Sequence, residues 1–444
     1  MSSDSARFGD LFLEPQRNGL TRPKKVRGAG LPMVNMGELF AYPRIRDIPM
    51  DLVPVDRKEH HYILETGDLL FARQSLVLSG AGQCSIFLGN SVPTVFESHL
   101  IRCRLDARRS NSLFYFYFFR SPEGRRAIEA IVEQGAGASG IRGSDLVNVQ
   151  VPNPPKRIQD EIAEILGSID DRITLLRETN ATLEAIAQAL FKSWFVDFDP
   201  VRAKMEGRTP EGMDEATAAL FPDGFETSEL GEVPRGWLLQ TFRDTIQIIG
   251  GGTPKTSNPD FWGGDIPWFS VVDAPGPSDV FVIDTEKHIT EAGLHGSSTK
   301  LLPAGTTIIS ARGTVGKLAL TGRVMAMNQS CYGLRGKAGD TYFTYFSATR
   351  LVQQLQQRAH GSVFDTITQE TFSGVHVAYP QAPVVQAFDT AVDALMARIR
   401  ENLFQAQTLS TLRDTLLPRL ISGQLRLREA QTATEVALGG VLQA

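Results

Sequence analysis

The segment GGGTPKTS, residues 250–257, is the stretch whose residue types most suggest chemistry, because glycine-rich loops that contain a lysine can hold a phosphate. In such loops a glycine stands directly before the lysine, and the spacing of the glycines lets backbone amides wrap the phosphate. Here Pro254 precedes Lys255, and that spacing is missing. Nucleotide binding at this loop is therefore not expected.

A second short motif, Asn153-Pro154-Pro155-Lys156, resembles the Asn-Pro-Pro-aromatic signature of adenine methyltransferases. In that signature the fourth residue stacks on a flipped base, and lysine offers no such face. No glycine-rich strand-to-helix turn for a methyl donor stands elsewhere in the chain. The two prolines are better explained as the entry into a helix.

The remaining reactive residue types form no catalytic or metal-binding pattern. Cys84, Cys103 and Cys331 lie far apart, and the histidines have no ligand spacing with them. No Ser/His/Asp or Cys/His set has a recognisable local motif. We expect no catalysis by this chain alone, no structural metal, and a reducing cytoplasm as its location.

Basic residues gather in TRPKKVRG, where Arg22, Lys24, Lys25 and Arg27 have no acid between them. The cluster suits either a solvated loop or an anion-binding surface, and charge alone does not decide. The net charge of −5 and the pI of about 5.9 argue against a nucleic-acid binder. The acids, however, concentrate in predicted helices and in a linker, away from this cluster.

Length and composition indicate a globular protein with more than one domain. The chain has 444 residues, of which 42% are hydrophobic and 21% charged. Its longest apolar runs are too short to cross a membrane, and its first residues lack the apolar core of a signal peptide.

Residues 156–195 predict one long helix that organises the chain. The segment has no internal proline, and apolar residues recur in it every seven positions. A helix of about 40 residues is roughly 60 Å long, so it needs a packing partner along its length. The recurring apolar positions are Ile162, Ile169, Leu176, Leu183 and Leu190.

The partner is predicted in the same chain, because residues 384–417 repeat the pattern at a constant separation of 226, the distance from Leu183 to Leu409. The separation also holds upstream of both helices, as in the pair Ile141 and Ile367. The chain therefore reads as a duplicated unit of globular part plus long helix. The seam of the second helix is predicted at Phe388, Leu395, Leu409 and Leu416.

The predicted order is a globular domain at 1–155, the long helix at 156–195, a connector at 196–234, a second globular domain at 235–382, the second helix at 383–423 and a tail at 424–444. Val147, Val149 and Val151 predict a half-buried strand before the first helix. Pro418 should end or kink the second helix. The tail has no core pattern.

Corresponding segments in the two domains support the duplication. TGDLLFAR matches AGTTIISAR, with Gly67 opposite Gly305 and Arg73 opposite Arg312, while Pro267 matches Pro32. The aromatic run LFYFYFF predicts a helix packed on a sheet. Both domains are thus expected to share one plan.

This plan closely resembles the specificity subunit of type I restriction-modification systems. The resemblance covers nearly the whole chain and is most specific in EIAEILGSIDDRITLLRETNATLEAIAQALFKSWFVDFDPVRAKMEG, ELGEVPRGW and GGTPKTSNPDFWGGDIPWFSVVDAP. It implies an α+β protein with two α/β target-recognition domains, separated by two long antiparallel helices and related by a pseudo-twofold axis.

The resemblance also implies the function and the partners. Each domain would read one half of a split double-stranded DNA sequence, and the helices would set the spacer and dock two methyltransferase subunits. Restriction subunits would complete a nuclease for host defence. S-adenosylmethionine, ATP and Mg would all be bound by the partners, and this chain would be non-catalytic and bind no cofactor.

Under this resemblance the candidate DNA-contacting residues lie in matching loops of the two domains. Phosphate contacts set the register of a reader and base-edge contacts give its specificity. The candidates are Arg22, Lys24, Lys25, Arg27 and Arg73 in the first domain, and Thr253, Lys255, Thr256, Ser257, Asn258, Arg312 and Lys317 in the second. Arg73 and Arg312 each follow an apolar strand, and the alternative for both is a strand-end arginine satisfied by carbonyl groups.

Two alternatives remain open at this point. The acidic pI is compatible with a non-catalytic coiled-coil adaptor whose globular domains bind protein or RNA. A free-standing methyltransferase would have to bind its methyl donor without partners.

Overall fold

The computed structural model describes residues 5–135, 137–276, 279–358 and 366–439. The chain divides into two compact units. Unit one extends to Ile173 and resumes at Thr408, and unit two runs from Thr174 to Gln407. Each unit therefore contains a globular part and one segment from each of the two long helices.

Unit one contains short strands and four short helices ahead of the first long helix. The strands are β1 (Ser5–Arg7), β2 (Arg17–Asn18), β3 (Leu31–Val34), β4 (Arg44–Ile45), β5 (Asp51–Val53), β6 (Leu69–Ala72), β7 (Gln74–Ser75), β8 (Cys84–Phe87), β9 (Val95–Phe96), β10 (Leu100–Cys103), β11 (Glu133–Gln134), β12 (Ser139–Gly140) and β13 (Gln150–Pro152). The helices are α1 (Met36–Ala41), α2 (Ser112–Arg120), α3 (Pro122–Glu129) and α4 (Gly143–Val147), and the first long helix is α5 (Lys156–Phe195).

The core of unit one is a five-stranded sheet in the order β2-β10-β6-β8-β4. Every residue of β6, β8 and β10 is buried, as expected for apolar strands that are covered on both faces. The aromatic run forms α2, as predicted, and the ring of Phe119 lies 5.0 Å from that of Phe71 on β6. Beside this sheet lies a three-stranded sheet in the order β5-β3-β9.

Unit two has the following elements. Its helices are α6 (Asp199–Met205), α7 (Glu215–Ala219), α8 (Phe242–Thr245), α9 (Glu291–His295), α10 (Tyr342–Arg358), α11 (Gln369–Ser373) and the second long helix α12 (Ala382–Ile421). Its strands are β14 (Phe225–Ser228), β15 (Gly231–Pro234), β16 (Leu238–Thr241), β17 (Ile246–Gly250), β18 (Trp262–Phe269), β19 (Phe281–Val282), β20 (His288–Ile289), β21 (Thr307–Ser310), β22 (Leu318–Thr321), β23 (Ala326–Met327), β24 (Cys331–Gly336) and β25 (His376–Tyr379).

The five-stranded sheet of unit one and the three-stranded sheet beside it are both repeated in unit two. The five-stranded order β17-β24-β21-β22-β19 corresponds to β2-β10-β6-β8-β4, with antiparallel central pairs and a parallel outer pair in both units. The order β20-β18-β23 corresponds to β5-β3-β9, and Pro267 occupies the register position of Pro32. The duplication predicted from the sequence is confirmed at the level of topology.

Helix α5 spans the residues that the heptad pattern predicted, and α12 spans almost the same range as predicted. Within each unit a segment of α5 packs against a segment of α12 in antiparallel order. In unit one, Asp170 of α5 accepts a hydrogen bond of 2.7 Å from Arg413 of α12. In unit two, Asn180 of α5 accepts one of 2.8 Å from Asn402. Later residues of α5 thus lie opposite earlier residues of α12.

The predicted seam lies in these helix contacts. In unit one Ile162, Ile169, Leu409 and Leu416 are at most 4% exposed. In unit two Leu176 and Phe388 are buried, while Leu183, Leu190 and Leu395 are partly buried against the core around Phe388. Each fully buried Leu or Ile stabilises the packing by roughly 1.5–3 kcal/mol.

Three local predictions differ from the structure. Helix α12 does not end at Pro418 but continues to Ile421, because the buried Leu416, Leu417 and Leu420 hold the last turn against unit one even though one amide donor is missing. Val147 ends helix α4 and does not belong to a strand, and the strand before α5 begins only at Gln150.

The third difference concerns the tail. Residues 427–439 form helix α13, on which Ala430 is fully buried and Thr434 is 5% exposed. A small-residue contact of this kind gives no strong periodic signal, because alanine and threonine are common on exposed helix faces as well.

Across the described ranges, none of the helices combines the length and the apolar character needed to span a membrane.

Candidate nucleic-acid interface

At one end of the five-stranded sheet of unit one, backbone hydrogen bonds join four segments of the chain. Ser98 N donates to Leu20 O over 2.9 Å, which joins the loop after β2 to the residues before β10. Arg73 N donates to His99 O over 2.8 Å, and Ile141 N donates to Arg73 O over 3.0 Å. The basic loop and the end of β6 therefore meet at the same edge.

The same junction exists in unit two. Gly252 N donates to Met327 O over 3.0 Å, Ala311 N to Ser330 O over 2.7 Å, and Ile367 N to Ala311 O over 2.9 Å. The loop that contains Thr253 to Asn258 therefore corresponds to the basic loop of unit one. Both units present loops, rather than strand faces, at this sheet end, and such ends commonly carry binding residues.

The hydrogen bonds correct one predicted correspondence. Arg73 and Ala311 make the same two backbone contacts, so Arg73 corresponds to Ala311, and Arg312 corresponds to Gln74. The bridge between Arg312 and Thr366 likewise matches the pairing of Gln74 with Gly140. The predicted pairing of Arg73 with Arg312 is therefore wrong by one residue, because the shared Ala-Arg dipeptide suggested a register that the backbone does not follow. Both arginines are exposed.

Two of the four cations in the basic loop are occupied by ion pairs. Arg22 contacts both carboxylate oxygens of Glu59 at 2.6 Å, and Arg27 contacts Asp51 at 2.7 Å. The hydrogen bond from Arg22 lowers the pKa of the Glu59 carboxyl. Lys24 and Lys25 begin a short 3-10 turn and are exposed. The arginines thus shape the loop, and the lysines are available to an external anion.

The glycines of the second loop serve close packing. A Cβ on Gly251 would collide with the backbone of Asn328, and a Cβ on Gly252 would collide with Ser298 and Thr299. The run therefore lets this loop lie against its neighbours.

In the second loop, as in the first, some polar residues make contacts within the protein and others are exposed. Thr253 donates a hydrogen bond to the side chain of Gln329, and Asn258 caps a short turn by accepting from Asp260 N over 3.1 Å. Lys255, Thr256 and Ser257 are exposed. These three side chains are placed to contact a ligand.

The turn after β21 carries Arg312 and Lys317. Its conformation is fixed by Ser310, whose hydroxyl donates to Thr314 O over 2.6 Å and accepts from Lys317 N over 2.8 Å. Arg312 and Lys317 are exposed on either side of this turn. The turn therefore presents two cations on a rigid support.

A pair of arginines in unit one was missed by the sequence reasoning. Arg120 at the end of α2 and Arg125 on α3 line a cavity of about 200 Å3. This cavity lies at the sheet end that holds Arg73, because its wall includes Gln83, whose carbonyl accepts from Ala72 N. The signal in the sequence is RSPEGRR, which has three arginines around the start of a helix.

The cysteines and acids form no alternative chemical centre within the described ranges. The three thiols are buried and unpaired, and burial raises the pKa of each. No group of three or more His, Cys, Asp or Glu residues in those ranges is arranged to hold a metal ion. The double proline before α5 leads directly into the helix, since Gln159 N and Ile158 N both donate to Pro155 O.

The model of the family described as type I restriction modification DNA specificity domain matches residues 55–185 and 234–404. The type I restriction enzyme HindI specificity subunit of Haemophilus influenzae is 30% identical over 358 residues, which cover 70% of this chain and 77% of the relative. The MjaIX specificity subunit of Methanocaldococcus jannaschii is 25% identical over 323 residues, which cover 72% and 70%.

Among solved structures, the type I restriction-modification S subunit from M. genitalium superposes with a TM-score of 0.51 at 16% identity. The match covers 95% of this chain and 96% of that chain, and at this identity it supports the fold alone. The first matched region lies mostly in unit one and the second lies in unit two, and together with the relatives they show that the chain belongs to the family of type I restriction-modification DNA specificity subunits.

Proposed function

We propose that each unit reads one half of a split DNA sequence and that the loops at the sheet end make the contacts. The observation that carries this proposal is that the five-stranded sheet and the three-stranded sheet beside it have the same strand order in both units, with corresponding loops at the same end. Two readers of one design suit a target that has two parts. The family model matches the chain in two separate regions, which agrees with this division of work.

In unit one the exposed Lys24 and Lys25 contact phosphates, while Arg22 and Arg27 hold the loop in shape. In unit two Lys255, Arg312 and Lys317 supply the phosphate contacts, and Thr256 and Ser257 supply hydrogen bonds. Phosphate contacts fix the register of the protein on the duplex and are independent of sequence. Base readout then falls to residues that differ between the two loops.

The long helices set the spacer between the half-sites and dock two methyltransferase subunits. The docking proposal is supported by apolar residues that remain partly exposed on the segments in unit two: Leu175 is 50% exposed, Ile186 is 44% exposed and Phe404 is 37% exposed. An apolar surface on helices that already have a packed seam suits a further protein partner. Restriction subunits join this assembly in the complete nuclease.

Methyl transfer and ATP hydrolysis belong to the partner subunits, which bind S-adenosylmethionine, ATP and Mg. This chain contributes recognition and geometry. The support is the character of its own polar residues at the sheet end, which are cations, hydroxyls and amides suited to nucleic acid.

A domain exchange tests the proposal. Residues 236–382 are replaced by the same segment of a relative, and the hybrid is expressed with the methyltransferase subunits in cells that lack other methylation. Single-molecule sequencing then reads the methylated motif. We expect one half of the motif to change while the other half and the spacer stay the same.

The reciprocal exchange of residues 5–152 serves as the matched control and should change the opposite half. A hybrid that alters both halves, or neither, contradicts the assignment of one reader to each unit.

A further inference from the structure

The loop between β6 and β8 of unit one places three large apolar side chains in solvent. Leu76 is 90% exposed, Val77 is 60% exposed and Leu78 is 45% exposed. Single exposed apolar residues are common on protein surfaces, but a contiguous run marks a contact surface. This run lies at the same sheet end as the basic loop, directly after Arg73, Gln74 and Ser75.

The equivalent loop of unit two lacks this feature. Gly82 N donates to Ala72 O in unit one, and Gly316 N donates to Ser310 O in unit two, so the two loops begin and end at corresponding positions. They comprise residues 73–81 and 311–315, so the first loop is four residues longer. In the shorter loop Val315 packs against the core of unit two. The fold is therefore complete without the additional residues.

The longer loop is held in one conformation. Arg125 donates to Ser79 O over 2.9 Å, Val77 N donates to the Ser75 hydroxyl over 3.2 Å, and Gly80 N donates to Val77 O over 3.1 Å. A loop that is ordered before binding loses little conformational entropy when it meets a ligand. Its apolar tip is thus presented on a rigid support.

Beside this loop lies the arginine cavity. Its walls include Ser79 of the loop together with Arg120 and Arg125, and none of its lining residues is an acid. Among the described residues, Nη1 of Arg125 is buried without a hydrogen-bond partner. The carboxylates of Asp170 and Asp414 lie near enough to Arg120 to act on its charge, whereas Arg125 has no carboxylate beside it in the cavity wall. A guanidinium group of this kind suits a phosphate oxygen. The charge next to the apolar tip therefore favours DNA over an apolar protein surface.

We propose that the loop Ser75–Ser79 reads bases in the first half-site, with a backbone phosphate bound by Arg120 and Arg125 and with Leu76, Val77 and Leu78 in apolar contact with base edges. Apolar side chains recognise thymine methyl groups in the major groove and also wedge between base steps. The inference rests on the proposed function and adds the residues that distinguish the first reader from the second.

The test uses the triple variant Leu76→Ser, Val77→Ser, Leu78→Ser in complex with the methyltransferase subunits. Its methylated motif is read in cells, and its affinity is measured on a duplex that carries the wild-type motif. We expect bases in one half-site to become degenerate and the affinity to fall by about tenfold or more, with the other half-site and the spacer unchanged. Leu76→Ser alone should show the same loss in weaker form.

The control variant is Leu13→Ser with Val92→Ser. These residues are 57% and 46% exposed, and they follow the opposite ends of the central strands, near Arg104 and beyond β8. The control should keep the wild-type motif and affinity.

An unchanged motif and affinity in the triple variant would overturn the inference. So would a triple variant that folds but no longer assembles with the methyltransferase subunits, because the loop would then be a protein contact. A wild-type complex without a split motif would instead overturn the proposed function itself.

Discussion

At the scale of single residues, cations with similar sequence surroundings have different tasks. Arg22 and Arg27 are 18% and 20% exposed as side chains and are paired with Glu59 and Asp51, whereas Lys24 and Lys25 are exposed. The paired arginines stabilise the loop, and the exposed lysines are free to meet a phosphate. This division leads to a prediction that separates the two roles.

Replacing Lys24 and Lys25 together with alanine should weaken DNA binding by the complex without affecting its folding. Two lost phosphate contacts make the slope of log affinity against log salt concentration shallower by up to about 1.8. Binding is measured by fluorescence anisotropy over a range of salt concentrations. The matched control is Arg108→Ala with Arg109→Ala, which lies beyond the opposite end of β10 and should keep the wild-type slope. A double lysine variant with an unchanged slope would rule out this loop as a phosphate contact.

Residue-level sites were the least predictable part of the molecule. The basic cluster is visible in the sequence, but its partners Glu59 and Asp51 are 37 and 24 residues away, and no local pattern links them. The correspondence of Arg73 with Arg312 was mistaken because the one-residue shift depends on hydrogen bonds across strands. Arg120 and Arg125 were overlooked because a cavity exists only after the loop and two helices pack together.

At the scale of elements, the long helices in unit two enclose a buried polar contact within their apolar packing. Asn180 and Asn402 are 1% and 5% exposed, and Asn180 also donates to Ile399 O over 3.3 Å. The separation of 226 relates Asn180 to Ala406 and Asn402 to Leu176, both of which are buried. The residues related to the amide pair by the duplication, Ala406 and Leu176, are thus apolar. The amide pair itself has no duplicated counterpart. Buried amide pairs of this kind commonly specify helix register.

The single substitution Asn402→Leu should destabilise the protein by about 1–3 kcal/mol, because the amide of Asn180 loses a buried partner. The double variant Asn180→Ala with Asn402→Leu reproduces the residues of the duplicated position and should recover most of that loss. Urea unfolding followed by circular dichroism measures both variants. If the double variant is as unstable as the single one, the amide pair stabilises the protein by more than the hydrogen bond that each amide provides for the other.

The long helices were the most predictable elements, and the reason is physical. Few structures other than a long helix fit a seven-residue apolar repeat over forty residues, so the bounds of α5 were predicted correctly. The prediction failed where tertiary packing overrides local preference, as at Pro418, which buried leucines keep inside α12, and at Val147, which ends a short helix. Helix α13 was missed because its contact depends on the small residue Ala430.

At the scale of the whole molecule, the duplication was visible in the sequence, while the order of the strands was not. Identities such as Ile141 and Ile367 at a constant separation required two copies of one unit. The sheet order β2-β10-β6-β8-β4 joins strands that are distant in the chain, so it depends on long-range pairing that periodicity cannot specify.

Inserting one heptad after Leu176 and another after Gln405 should lengthen the spacer of the recognised DNA without changing either half-site. These positions lie opposite each other in the antiparallel order set by Asn180 and Asn402, so the seam is preserved. A heptad adds about 10 Å of helix, which corresponds to at most about three base pairs. The measurement is the methylated motif of the variant complex. Altered half-sites with an unchanged spacer would show that the helices do not determine the spacing.

The loop of residues 73–81 in unit one is longer than the corresponding loop of residues 311–315 in unit two. This difference has a consequence for the direction in which the protein lies along a chromosome. A target approached in the reverse direction would offer each half to a loop of the wrong length. We therefore expect every site to be occupied in one polarity only, so that any subunit attached to one end of the protein always faces the same flank of its target.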